Sequence, residues 1–247
     1  MESLSRYPAD MSGGSRLKSL LRARMPGAVS GLLRIRDALY RRRVGRRVFI
    51  DIHERNAWKN VESKSGSGST LEQTSAIRAA IPPLLRDLGV RSLLDIPCGD
   101  HHWMKEVPLD GIDYAGADIV PSLIARNQRL YGGDRKTFLG ADVVRDRLAT
   151  VDLILCRDCF GHLPDRDILR ALRNIKRSGS TYLLATTFTE RTENEDLDRF
   201  GWRPLNLRLR PFALPPPIIV INEHCTEHGG RYADKSLGLW RVADVLP

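Results

Sequence analysis

Three aspartates stand where chemistry can be done: Asp95, Asp118 and Asp142. Each closes or directly follows a short apolar run, at Ser92–Ile96, Tyr114–Asp118 and Thr137–Ala141. Runs of this length and composition read as buried strands. Acids at the carboxyl ends of neighbouring parallel strands share one sheet edge, where open α/β sheets bind ligands. After the first run, Pro97-Cys98-Gly99 breaks the strand, and Gly99 lets the backbone approach a ligand because it has no Cβ. The phosphate-cradling G-x-G-x-x-G is absent, since Pro97 and His101 hold glycine positions. An acid ahead of the turn repels phosphate and suits a cation. Asp118, 23 residues after Asp95, is placed to accept hydrogen bonds from both hydroxyls of a ribose. Together these residues describe a site for a cationic nucleoside without phosphate.

A second set lies after a fourth apolar run, Val151–Cys156. The segment from Arg157 to His162 enters the same cleft as Asp95 and Gly99. His162 and Asp158 are the candidate general bases, and a histidine suits neutral pH because its ordinary pKa is about 6.5. Both have plain structural alternatives. His162 could be a packing residue at a helix entry; Asp158 could pair with Arg157 or cap a helix. Glu223 and His224 are second candidates. Trp202, Asn206 and Trp240 are candidates for shaping an acceptor pocket, although tryptophans are more often simply buried.

The positioning elements follow from patterning. Ser69-Thr-Leu-Glu72 has capping-box spacing and predicts a helix start. That helix runs through Ile77 towards Leu88, kinked at Pro82-Pro83 and stopped by Gly89. A helix is expected to open at Trp103-Met104. Further helices are predicted over Pro121–Leu130 and Asp165–Ile175, and a fifth strand over Ser180–Phe188. This alternation implies a mostly parallel sheet. Residues 189–217 are polar, then proline-locked, and are expected to form a substrate flap over the carboxyl edge. Ile218–Ile221 and Ser236–Val242, separated by a turn at Glu227–Gly230, predict a terminal antiparallel hairpin.

The Asp95–Gly99 stretch resembles motif I of the class I S-adenosyl-L-methionine (SAM)-dependent methyltransferases, where an acid ends the first strand before a glycine turn. SAM is a sulfonium with an amino-acid tail and an adenosine, and it carries no phosphate. The resemblance covers roughly Leu84 to the C-terminus. The Asn56-Ala-Trp58 stretch, the Ser63–Ser69 loop and the Asp234–Trp240 end are also similar to a bacterial group of such proteins, which implies no single substrate. It implies an α/β, Rossmann-like sandwich, mostly parallel with antiparallel C-terminal strands. It also implies SAM as cofactor, held by Asp95, Pro97, Cys98, Gly99, Asp118, Ile119, Asp142 near the adenine amino group, Arg157 and Ser69. The Ser63–Ser69 loop then has two readings. One is a linker; the other is a lid whose amides and hydroxyls hold the cofactor carboxylate. The function expected is methyl transfer to a small or medium acceptor at a hydroxyl oxygen, with a sugar or glycan as acceptor class. The rivals are an RNA methyltransferase gripping phosphates with a basic arm and a non-catalytic SAM-binding scaffold. A nicotinamide-dependent reductase is disfavoured by the missing glycines.

Composition bounds the rest. The chain has 247 residues, 42% hydrophobic and 28% charged, as expected of a soluble globular protein. Residues 1–60 carry 14 Lys/Arg against 5 Asp/Glu, so the net charge of +9 lies in this stretch and the remainder is balanced. We therefore divide the chain into a basic extension, 1–60, and a SAM-binding domain, 61–247, with its insertion at 189–217. The extension suggests amphipathic helices and a dense arginine run, Arg41 to Arg47. A solvated helix packed on the core, a membrane-surface contact and a nucleic-acid contact are its competing roles. Aromatics that would stack on bases are not interleaved there. Four cysteines are expected to be reduced, and Cys156-Arg-Asp-Cys159 lacks a second pair at zinc spacing, so no metal is expected. No apolar run nears the roughly 20 residues of a bilayer span, and no secretory pattern opens the chain. A cytoplasmic location is the expectation.

Overall fold

A computed structural model describes residues 46–197 and 201–245. The arginine-rich helices expected before Gly45, and the partner surfaces assigned to them, lie outside the described residues. The unit that holds the site begins at Arg46, earlier than the boundary drawn at 60. Residues 46–54 are helical, and Phe49 and Ile50 pack against the domain core.

Seven strands form one sheet in the order β3-β2-β1-β4-β5-β7-β6. They are β1 Ser92–Asp95, β2 Asp113–Asp118, β3 Lys136–Gly140, β4 Leu153–Cys156, β5 Tyr182–Phe188, β6 Ile219–Asn222 and β7 Lys235–Arg241. The first five are mutually parallel, and β7 runs antiparallel to both β5 and β6. The strand order reverses between β1 and β4. Asp95 pairs in register with Gly116 and Leu155, and Asp118 pairs with Gly140. Both acids therefore emerge at one carboxyl edge beside the reversal.

The sheet is buried on both faces, so its central strands read as continuous apolar runs. Leu93, Leu153, Leu155, Leu184, Leu237 and Leu239 face one core. Leu94, Ile154, Cys156, Leu183, Ala185 and Trp240 face the other. Helix α1, Ser75–Asp87, closes the first with Ile77, Ile81, Leu84 and Leu85, a single helical stripe. Helix α2 is Pro121–Tyr131, with proline in its first turn where no amide partner is needed. Helix α3, Asp165–Ser178, covers the second core with Ile168, Ala171, Leu172 and Ile175 and ends on Gly179 at φ 71°.

Two local expectations change. Helix α1 starts at Ser75, not at Ser69, and Ser69 ends a single turn, Ser67–Ser69. The Ser69 amide that the Glu72 side chain of a capping box would take is bonded instead to Gly66 C=O at 3.1 Å. The helix also runs on through Pro82 and Pro83. After β1 only one short turn, Met104–Glu106, replaces the expected helix. Val107 precedes Pro108, which disfavours helical backbone, and it is extended at φ −89°, ψ 122°.

The 189–217 insertion is largely irregular, as its prolines require, but it does more than overhang the edge. Leu205, Leu207, Phe212 and Leu214 are buried in the α3-side core. No described helix is long and apolar enough to cross a membrane.

Candidate active site

The turn after β1 sets the floor of a cavity of about 170 Å³ at the carboxyl edge. Gly99 adopts φ 52°, a left-handed backbone that glycine reaches without a Cβ clash. Its N–H donates to Asp118 Oδ2 at 3.2 Å, and Val120 N–H donates to Asp118 Oδ1 at 3.0 Å. Asp95 is buried and accepts from the Tyr114 hydroxyl through Oδ2 at 2.7 Å. Burial raises the Asp95 carboxyl to about 7, with the Tyr114 bond opposing and Asp118 adding to the rise. Burial likewise raises Asp118 to about 6 against its backbone hydrogen bonds. All nine residues expected at the cofactor line this cavity: Ser69, Asp95, Pro97, Cys98, Gly99, Asp118, Ile119, Asp142 and Arg157.

The Ser63–Ser69 loop is docked rather than a bare linker. Ser63 Oγ and Ser65 Oγ both donate to Asp100, at 3.0 and 3.1 Å, and Lys64 N–H donates to it at 2.8 Å. A Cβ built on Gly99 would lie 2.4 Å from Ser65 Oγ, so the loop rests directly on the bare glycine. At its far end Gly68 C=O accepts from Arg157 Nη2 at 2.7 Å, and Ser67 Oγ bonds Glu227.

Arg157 is the hub of a buried charge cluster. Its guanidinium reaches Glu223 Oε2 at 2.6 Å and Oε1 at 3.2 Å, and Asp158 Oδ2 at 3.1 Å. Lys235 Nζ lies 2.7 Å from the same Asp158 oxygen and 3.4 Å from Glu223. Two cations thus balance two carboxylates, the condition under which buried charges persist. Burial opposes the charge on Asp158, but Arg157 and Lys235 outweigh it and bring its carboxyl to about 2. A carboxylate so held is a poor proton acceptor, so the geometry argues against Asp158 as the base.

His162 is differently placed. Its Nδ1 is 2.9 Å from the Gly201 carbonyl. A carbonyl only accepts, so Nδ1 carries the proton and Nε2 keeps its lone pair. Phe49 stands edge-on to the ring at 5.9 Å and Trp58 lies at 6.1 Å. Burial lowers the His162 pKa, with the Gly201 bond and Asp158 acting the other way. The imidazole is neutral at neutral pH and held in one orientation. It lines the first cavity and also a second of about 250 Å³, walled by Phe188, Trp202, Tyr232, Glu227 and Lys235.

Of the residues expected at the acceptor, only Trp202 lines this second chamber. Asn206 is instead a brace of the insertion, donating to Arg191 C=O at 3.0 Å and cross-bonded to Asn194. Trp240 is 1% exposed, packed on Gly238 with Nε1 donating to Pro215 C=O at 2.8 Å. Its large apolar surface serves the core. His224 is exposed and lines neither cavity. Sequence reasoning missed Phe49, His53 and Trp58, because they were assigned to the extension. It also missed Lys235, the buried first residue of β7, and Arg203, which binds the carbonyls of Phe160, Gly161 and Leu163 and so fixes the His162 turn. Among the described residues no cluster could hold a metal ion, and the four cysteines are free thiols.

The donor set fits SAM. An acidic floor suits an ammonium and ribose hydroxyls and would repel a pyrophosphate, and the loop seated on Gly99 offers hydroxyls and amides.

A family model described as a methyltransferase domain matches residues 40–235. No curated protein sequence is significantly similar to the chain. Among solved structures, human N-acetylserotonin methyltransferase in complex with SAM is 13% identical with a TM-score of 0.48, over 68% of this chain and 52% of that one. Magnesium protoporphyrin IX methyltransferase from Synechocystis PCC 6803, with bound S-adenosylhomocysteine (SAH), is 14% identical with a TM-score of 0.46, over 61% and 74%. Mitomycin 7-O-methyltransferase is 24% identical with a TM-score of 0.43, over 53% and 40%. The chain spans about half the length of the human protein it matches. With the family match extending over most of its length, the chain belongs to the methyltransferase-domain family, the class I methyltransferases that use SAM.

Proposed function

We propose that the protein transfers a methyl group from SAM to a hydroxyl oxygen of a small or medium polyhydroxylated acceptor, a sugar or glycan. One observation carries this reading. His162, with Nδ1 bonded to Gly201 C=O, sits at the junction of the two cavities with no partner for Nε2 among the described residues.

When bound, SAM supplies an electrophilic methyl on a sulfonium. Asp95 and Asp118 would hold its ammonium and ribose, Asp142 would lie near the adenine, and the Ser63–Ser69 loop would cover the amino-acid tail. The chain's own catalytic work is orientation and proton removal. A neutral hydroxyl is a weak nucleophile, and a positioned base of matched pKa contributes about 10²–10⁴-fold. His162 Nε2 takes the acceptor proton, and the resulting imidazolium is stabilised by the nearby Asp158 carboxylate. The second chamber supports the acceptor class. Phe188, Trp202 and Tyr232 make an edge-to-face aromatic wall, which suits the apolar face of a sugar ring. Glu227 and Lys235 present polar atoms to its hydroxyls.

The test is transfer from methyl-labelled SAM to a panel of methyl glycosides and oligosaccharides, with bulk tRNA as comparison. Alkali-stable label on a glycoside, lost with His162→Gln, is the expected result. Label released by alkali as methanol would move the acceptor atom to a carboxylate. Label on tRNA alone would favour the RNA reading.

A further inference from the structure

His101 stands where the commonest form of this turn has glycine, and it is unfavourable there on two counts. Its backbone is left-handed at φ 58°, which costs an L-residue about 1–2 kcal/mol. It is 1% exposed, yet its Nε2 has no hydrogen-bond partner; such an orphan costs about 1–3 kcal/mol. Burial, aided by Lys136 and Lys105, also lowers its pKa to about 3, so the ring stays neutral. Glycine would avoid both costs.

What the histidine gains is one side-chain hydrogen bond. Its Nδ1 lies 3.2 Å from the Tyr114 hydroxyl, which lies 2.7 Å from Asp95 Oδ2. The hydroxyl proton goes to the carboxylate, so the oxygen accepts from Nδ1–H. That tautomer leaves Nε2 as an acceptor without a partner. Tyr131 and Phe138, with ring centroids 5.1 and 5.0 Å from the imidazole, wedge it in place. Tyr114 is 2% exposed and also packs against Phe138. The chain therefore runs from behind the sheet edge to the cavity floor, and all three members are buried.

We propose that His101 and Tyr114 are positioning residues for the cofactor, holding the Asp95 carboxylate in one orientation toward the cavity. Tyr114 occupies Oδ2, and Oδ1 has no partner among the described residues. Neither His101 nor Tyr114 lines the cavity, so both act through Asp95. The other groups that act on Asp95 are Asp118 from β2, which opposes its charge, and Arg157 from the segment after β4, which favours it. The Cys98 and Cys156 thiols also lie close, both kept neutral by burial. Lys136 sits over the Tyr114 ring at 5.8 Å. Of these, only Tyr114 donates a hydrogen bond to the carboxylate.

The inference rests on the SAM assignment, and the test separates the two. Titrate the full chain with SAM by calorimetry from about pH 5.5 to 8.5, a span that brackets the raised Asp95 pKa. Wild-type affinity should rise with pH as Asp95 ionises. Tyr114→Phe removes the donor that favours the charged form, so the midpoint should move to higher pH. For a shift of one unit, affinity near pH 7 falls up to about tenfold and recovers at the alkaline end. His101→Gly, which the left-handed backbone accepts, should move the midpoint the same way. SAH keeps the ammonium and should show the same displacement. A purely structural role would lower affinity equally at every pH. Unmoved midpoints in Tyr114→Phe and His101→Gly overturn the proposal. Should Tyr114→Phe fail to fold, His101→Gly decides alone. If folded wild-type protein binds neither SAM nor SAH, the cofactor assignment fails and this inference with it.

Discussion

His162 and Gly201 are joined by a 2.9 Å hydrogen bond that decides which imidazole nitrogen can work as a base. The carbonyl fixes the proton on Nδ1 and leaves the lone pair on Nε2 of a ring that lines both cavities. His162→Gln should therefore lower methyl transfer by about 10²–10⁴-fold while leaving SAM affinity within a few-fold. Single-turnover rates beside calorimetric titration separate the two effects. In the wild type the rate should fall on acidification only below the ordinary histidine pKa, because burial lowers that of His162.

Asp158 acts on that limb from outside. Its charge raises the His162 pKa, so Asp158→Asn should move the acid limb of the rate to still lower pH. It should also destabilise the fold, since Arg157 and Lys235 lose a shared counter-charge. Breaking a buried pair costs about 3–5 kcal/mol, and the partial exposure of Asp158 places this case at or below the lower end. If Asp158 were itself the base, its loss would abolish activity at every pH.

Asp95 makes the opposite prediction for stability. Its pKa is raised to about 7 in the folded protein from an ordinary 3.8. Between those values the folded state binds more protons than the unfolded state, so stability falls as pH rises through the window. Asp95→Asn keeps an acceptor for Tyr114 and removes the titration. In the absence of ligand it should raise the melting temperature near pH 8 and leave it little changed near pH 4. SAM binding should be lost at both. A variant no more stable than wild type at pH 8 would contradict the assigned cause.

Gly99→Ala tests the seating of the serine loop. The added Cβ would fall 2.4 Å from Ser65 Oγ and would sit on a left-handed backbone. Ser65 Oγ must swing away and give up its bonds to Asp100, so SAM affinity should drop at least about tenfold, with about 1–2 kcal/mol of stability lost to the backbone alone. Protease sensitivity between Ser63 and Ser69 should rise in parallel. Unchanged affinity would separate this loop from cofactor binding.

Much of the lining of the first cavity was legible because strands bury apolar residues on both faces and release their first polar residue at the edge. Asp95, Asp118 and Asp142 were visible for that reason, as was the turn at Gly99. The charge cluster was not. Arg157 meets Glu223 across 66 positions and Lys235 meets Asp158 across 77, and local pattern carries no signal for such pairs. Trp240 and Asn206 misled in a consistent way. Both sit near predicted edges, but one fills a core behind Gly238 and the other closes a loop upon itself. Charge marks the extension boundary at 60, and charge carries no signal for Phe49 and Trp58, which line the cavity.

The serine loop roofs two rooms at once. Ser65 lines both cavities, and Gly66, Ser67 and Gly68 wall the second. Its ends are moored to Asp100 on one side and to Arg157 and Glu227 on the other. A roof shared in this way is expected to order the traffic, with the donor seated first and the spent donor leaving last. Steady-state kinetics should accordingly show SAH competing with SAM and not with the acceptor.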